Sequence, residues 1–162
     1  MKHDKQKIDW DNLGFAPLPT RSMWKGDCST GEEWSIGGLI PYGNISLSPA
    51  ACVLNYGQGI FEGLKAYQTA KDRVVLFRPN KNAARMKKST ERICIPVMND
   101  DYFMKAVTST VKDNMDFIPP FGKGSMYIRP ICFGTSKAIA VQAATEYVLS
   151  LIHISEPTRP DE

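Results

Sequence analysis

Four prolines, Pro79, Pro96, Pro119 and Pro120, cut the middle of this chain into segments that no single long helix can cross. A proline inside a helix removes a backbone hydrogen bond and collides with the preceding turn, so each bracketed segment must fold as its own element. Between Pro79 and Pro96, the residues Ala83, Met86, Thr90 and Ile93 recur at three- and four-residue spacing. They predict an amphipathic helix that starts at Pro79, with Asn80 able to cap it. A second helix is marked before Pro119: Asn99 or Asp100 can cap it and Asp101 sits in its first turn. Its apolar face is Tyr102, Phe103, Ala106, Val107, Thr110, Val111 and Met115.

Around these helices the pattern is that of strands. Residues 1–44 are rich in Gly, Pro, Ser and Trp, which favours short strands and turns, and Ile45–Leu47 is a brief strand candidate. Leu64–Tyr67 and Val74–Phe77 are β-prone runs joined by a polar connection of hairpin size, Gln68–Arg73. Met126–Phe133 and Thr145–Leu149 read as two further strands. Strands, then helices, then strands indicate an α+β fold, with helices packed on a largely antiparallel sheet.

Composition narrows the chemistry. With 20 Lys+Arg against 17 Asp+Glu, the net charge of +3 gives no support to a nucleic-acid partner. No apolar run reaches bilayer length and the first residues are polar, so no membrane partner and a cytoplasmic location are expected, or an organellar one if a leader exon is missing. The four cysteines are widely spaced with no C-x-x-C pair, and reduced thiols are the expectation. The two histidines, His3 and His153, lie near the ends, which makes a metal site or a His-based triad improbable. Any acid–base chemistry must then come from Lys, Tyr, a carboxylate or a cofactor.

Three segments carry candidate chemistry. In Ser125-Met126-Tyr127-Ile128-Arg129-Pro130, strand alternation points Met126 and Ile128 inward and Tyr127 and Arg129 together outward. A phenol beside a guanidinium can cradle a carboxylate, although a rim Tyr beside a solvated Arg reads the same way. Arg85, in the first half of a helix, suits a phosphate, but Lys81, Lys87, Lys88 and Arg92 also make it part of a basic solvated face. Tyr56 and Phe61 flank a glycine-rich turn, where aromatics line an apolar pocket or simply fill core.

Taken together, these segments resemble the branched-chain amino-acid aminotransferases. The resemblance rests on Asn55-Tyr56-Gly57-Gln58-Gly59-Ile60-Phe61-Glu62-Gly63-Leu64-Lys65-Ala66-Tyr67, on Leu76–Met86, and on Tyr127-Ile128-Arg129-Pro130, with Trp10–Phe15 similar to the opening of eukaryotic members. It implies a fold type IV enzyme dependent on pyridoxal 5'-phosphate, homodimeric, with residues 9–149 as its small domain after a polar leader, 1–8. It implies amino transfer from leucine, isoleucine or valine to 2-oxoglutarate, giving glutamate.

Carried over by position, Arg85 contacts the cofactor phosphate. Tyr127 holds the α-carboxylate of the substrate and Arg129 the distal carboxylate of glutamate. Tyr56 and Phe61 wall the side-chain pocket, and Phe15 adds to that wall. The Schiff-base lysine belongs to the large domain, beyond these residues, so no catalytic residue is assigned and neither Lys65 nor Lys71 takes that role. The 162 residues alone are therefore expected to be inactive. A catalytically dead small-domain protein that binds or regulates full-length subunits is the alternative. Residues 150–162 match no family segment and are expected to be a frayed, non-native tail.

Overall fold

Proline punctuation and short apolar runs yield short elements, and the computed structural model describes them over residues 8–14 and 19–157. In chain order they are β1 (Ser22–Ser29), β2 (Ile36–Pro41), α1 (Cys52–Tyr56), β3 (Gly59–Phe61), β4 (Leu64–Gln68), β5 (Val74–Leu76), α2 (Pro79–Arg92), α3 (Asp100–Asp113), β6 (Gly124–Gly134) and β7 (Glu146–Pro157). Every strand pairing is antiparallel, in one seven-stranded sheet of order β2-β1-β7-β6-β4-β5, with β3 also paired to β6. The expected α+β class is the class observed.

Both bracketed helices form. Asn99 caps α3, its side chain accepting from the Tyr102 N–H at 2.7 Å, and Asp100 and Asp101 lie in the first turn, where the helix dipole favours negative charge. The cap of α2 differs from expectation. Pro79 is the first helical residue, and Arg78, not Asn80, is the capping position, at φ 45° and ψ 52°. Proline fixes its own φ and excludes the helical region for the residue before it, so the cap falls on Arg78. Met115 also leaves the expected face, because α3 stops at Asp113 and a 3-10 turn over Met115–Phe117 turns it outward.

The helices lie on the sheet through Ala83 and Met86 of α2 and Phe103, Ala106 and Val107 of α3. These pack in one cluster with Trp24, Ala66, Met126, Ile128, Leu149 and Leu151 from the strands. Full burial of each large apolar side chain contributes roughly 1.5–3 kcal/mol. At the end of α3, the buried Asn114 carboxamide accepts from the N–H groups of Arg21 and Ser22, both at 3.1 Å. It donates to the carbonyls of Ser22 and Thr110 and to Ser22 Oγ, tying the helix end to the start of β1.

Two expectations are corrected. Ile45–Leu47 forms no strand; Pro41, Gly43 and Pro49 crowd it and no strand pairs with it among the described residues. Nor does the chain fray after Leu149: β7 runs on to Pro157, in register with β6 from Gly134↔Tyr147 to Gly124↔Pro157. The long β6 edge supplies backbone partners, and Leu151, Ile152 and Ile154 supply enough apolar surface to hold the segment there. Residues 158–162 lie outside the described residues.

Candidate active site

The site grows from the alternation along β6. Met126 and Ile128 are fully buried, while Tyr127 and Arg129 emerge on the opposite face, as the strand period requires. Residues directly across antiparallel strands share a face, so Phe61 (across from Ile131), Lys65 (across from Tyr127) and Ile152 (across from Arg129) join them. Arg129 donates Nε and Nη2 to Tyr127 Oη at 3.1 and 2.8 Å, and its guanidinium carbon lies 4.3 Å from the Phe61 ring centroid. Two of its five N–H groups are thereby used, and the phenolic proton of Tyr127 remains free to donate. A carboxylate arriving here meets several donors above the exposed face of Phe61. Lys65 is not a spare cation, because it is ion-paired with Glu156.

Gly63 makes room for this arrangement. A Cβ at that position would collide with Tyr127 Oη, so only glycine lets the phenol lie against the strand. Upstream, Gly57 closes α1 in the left-handed conformation at φ 69°, donating its N–H to the Val53 carbonyl at 3.1 Å, and turns the chain from Tyr56 into β3.

Arg85 faces a carboxylate. Its Nε and Nη2 donate to Oε1 and Oε2 of Glu62 at 3.0 and 2.7 Å, and Asn82, one turn earlier on α2, donates to Glu62 Oε2 at 2.9 Å. Glu62 is 7% exposed and directly follows Phe61. Burial pushes its carboxyl toward neutrality, but the hydrogen bonds from Arg85 and Asn82 and the Arg85 charge outweigh that and hold it below its usual range. The Arg85 side chain is 61% exposed, so the fork pointing away from Glu62 is open to a ligand.

Of the residues expected at the site, Phe61, Tyr127 and Arg129 come into one cluster, and Arg85 attaches to it through the neighbour of Phe61. Tyr56, half-exposed at the end of α1, makes no hydrogen bond or ring contact with that cluster among the described residues. Phe15 lies outside the described residues. Glu62 and Asn82 escape a sequence reading; the available signal is a carboxylate set directly after an aromatic in an otherwise apolar and glycine-rich run. Among the described residues no group of three or more His, Cys, Asp or Glu converges to hold a metal ion, and no helix is long and apolar enough to cross a membrane.

An antiparallel sheet with this order and these helices is the small N-terminal domain of the fold type IV aminotransferases. A branched-chain aminotransferase from Thermoproteus uzoniensis, solved with norvaline, superposes with a TM-score of 0.62 at 20% identity over 83% of this chain and 40% of its own. The branched-chain amino acid aminotransferase of Escherichia coli gives 0.56 at 22% identity over 86% of this chain and 40% of its own. Within that class, the chain is homologous to the branched-chain amino acid aminotransferases. It is 51% identical over 148 residues to branched-chain amino acid aminotransferase 2, chloroplastic, from Humulus lupulus, which covers 91% of this chain. The match spans 36% of that relative's length. No family model matches the chain.

Proposed function

We propose that these residues form the small-domain side of a branched-chain amino acid aminotransferase active site. The observation that carries the reading is the cluster of Phe61, Tyr127 and Arg129, an apolar surface with a cation and a phenol held together at its rim. Such a rim receives either a branched aliphatic chain or a second carboxylate without burying an unpaired charge. Arg85, with one fork open, fits the phosphate of pyridoxal 5'-phosphate. When bound, that group is the electron sink that lets an amino acid's α-proton be removed. Tyr127 and Arg129 orient the substrate carboxylates, and Phe61 shields the side chain from water.

The same reading takes leucine, isoleucine and valine as amino donors, 2-oxoglutarate as acceptor and a homodimer as the working assembly. It places no lysine of these 162 residues on the cofactor, so by themselves they are inactive. Relatives from Humulus lupulus are named for the chloroplast and for the mitochondrion, which favours an organelle over the cytoplasm.

A chimera tests the proposal: residues 9–149 replace the matching segment of the Humulus lupulus enzyme. Leucine-dependent turnover of 2-oxoglutarate is the expected result, abolished by Arg129→Ala. A chimera that folds and holds its cofactor, yet transfers no amino group from any branched-chain donor, overturns it.

A further inference from the structure

We infer that Glu62 is a positioning residue, which holds the Arg85 guanidinium so that its free fork meets a phosphate group; this rests on the reading of Arg85 given above. The geometry makes the division of labour. Glu62 takes Nε–H and one Nη2–H of Arg85 through both of its oxygens. Three N–H groups remain, two of them parallel on the Nη1–Nη2 edge, the arrangement that a phosphate accepts bidentately. Glu62 cannot swing away to follow the arginine. It is nearly buried, its Oε2 also accepts from Asn82 Nδ2, and that same Asn82 nitrogen donates to the Gly63 carbonyl at 3.0 Å.

An exposed arginine must give up the freedom of several rotatable bonds before it can hold a ligand. Here Glu62 and Asn82 have already fixed the head group, while 61% of the Arg85 side chain stays open to solvent. The pair also ties α2 to the segment that carries Phe61. A phosphate held on Arg85 and a substrate held at Phe61 and Arg129 are therefore kept in one register by consecutive residues.

The alternative role for Glu62 is plain charge repulsion, and it predicts the opposite sign. A carboxylate that only opposes a phosphate would, when neutralised, let the phosphate bind more tightly. A carboxylate that positions the arginine would, when neutralised, let it bind more weakly, by about tenfold if it resembles the outer partners of other preorganised ligand sites.

The test uses the 162-residue chain, with pyridoxal 5'-phosphate and phosphate-free pyridoxal as calorimetric probes. The chain should prefer the phosphate-bearing probe, and Arg85→Ala should erase that preference. Glu62→Gln should weaken pyridoxal 5'-phosphate about tenfold and leave pyridoxal unchanged. Glu62→Asp, which keeps the charge but withdraws the fork by one methylene, should fall between. The Arg85 Nε–H resonance, slow to exchange in the parent, should exchange fast in Glu62→Gln. If Arg85→Ala leaves the preference intact, the phosphate assignment fails and the inference with it. If Arg85→Ala erases the preference while Glu62→Gln binds equally or more tightly, the assignment stands and the positioning role is overturned. A lowered melting temperature in Glu62→Gln with unchanged affinity also overturns it, because a merely structural residue would behave that way.

Discussion

Phe61 and Arg129 meet cation over ring, with the guanidinium carbon 4.3 Å from the ring centroid. Neither residue is deep in the core: Phe61 is 63% exposed. A large aromatic left open to water contributes little to folding, so its place is explained by what it holds and what it can cover. Such a pair at an exposed site contributes roughly 0.5–1 kcal/mol, enough to bias the arginine's position but not to lock it.

Gly63→Ala should disturb the clamp directly, because the new methyl meets Tyr127 Oη. We expect a loss of about 1–3 kcal/mol in urea unfolding, the usual range for forcing extra volume into a packed site. In a Tyr127→Phe background the tightest contact goes with the oxygen and only the ring edge, 2.9 Å from the new methyl, remains, so the same substitution should cost less. Additive losses in that double-mutant cycle would show that the steric account is wrong.

Asn114→Ala should be among the most damaging single changes. It strips acceptors from the backbone N–H groups of Arg21 and Ser22 and opens the contact between α3 and β1. Leaving buried donors unsatisfied costs about 1–3 kcal/mol for each group, and chemical denaturation should show a loss of several. Asn114→Asp keeps an acceptor but sets a buried carboxylate oxygen against the carbonyls of Ser22 and Thr110, and should not recover the loss.

Stability should fall on acidification in two windows. His153 is 1% exposed, neither ring nitrogen has a hydrogen-bond partner among the described residues, and burial lowers its pKa from 6.5 to about 4. Between those values the unfolded chain binds a proton that the folded chain refuses, so stability drops as pH falls from 6.5 toward 4, by up to roughly 3 kcal/mol. Glu62, held below its usual 4.5, adds a second loss beneath that value as it is protonated. Thermal melts across this range should show both, and His153→Leu should flatten the upper window alone.

Ser150→Ala should stabilise the chain. The Ser150 hydroxyl is buried in β7 without a partner among the described residues, and a hydroxyl deprived of water costs about 1–3 kcal/mol on mutational scales. Removing it leaves only a small void. An unchanged or lowered melting temperature would contradict this.

The helices can be read from the sequence because prolines bracket them and Asn99 caps the longer apolar stripe. The pairing of Tyr127 with Arg129 can be read because strand alternation is a local rule. The grip of Glu62 on Arg85 cannot: the two stand 23 residues apart, and only the packing of α2 against the β3–β4 connection brings them together. The far half of β7 misleads for a related reason. Ser150, His153, Ser155 and Glu156 look like solvent residues by themselves, and it is the waiting edge of β6 that draws them into the sheet. Helix α1 leaves no signature because five residues are too few to show a helical period.

The place of β7 has a further consequence, for the order of assembly. It is the last of the described strands to be synthesised, yet it lies between β1 and β6. Until it emerges, the β1–β2 hairpin and the β3–β6 group have no shared backbone ladder, and each presents an unpaired edge to its surroundings. The closing step must join residues more than a hundred positions apart, such as Trp24 with Leu151, and such distant pairings are slow. A ribosome that stalls before Glu146 would thus release two half-sheets with sticky margins, the situation that holding chaperones relieve.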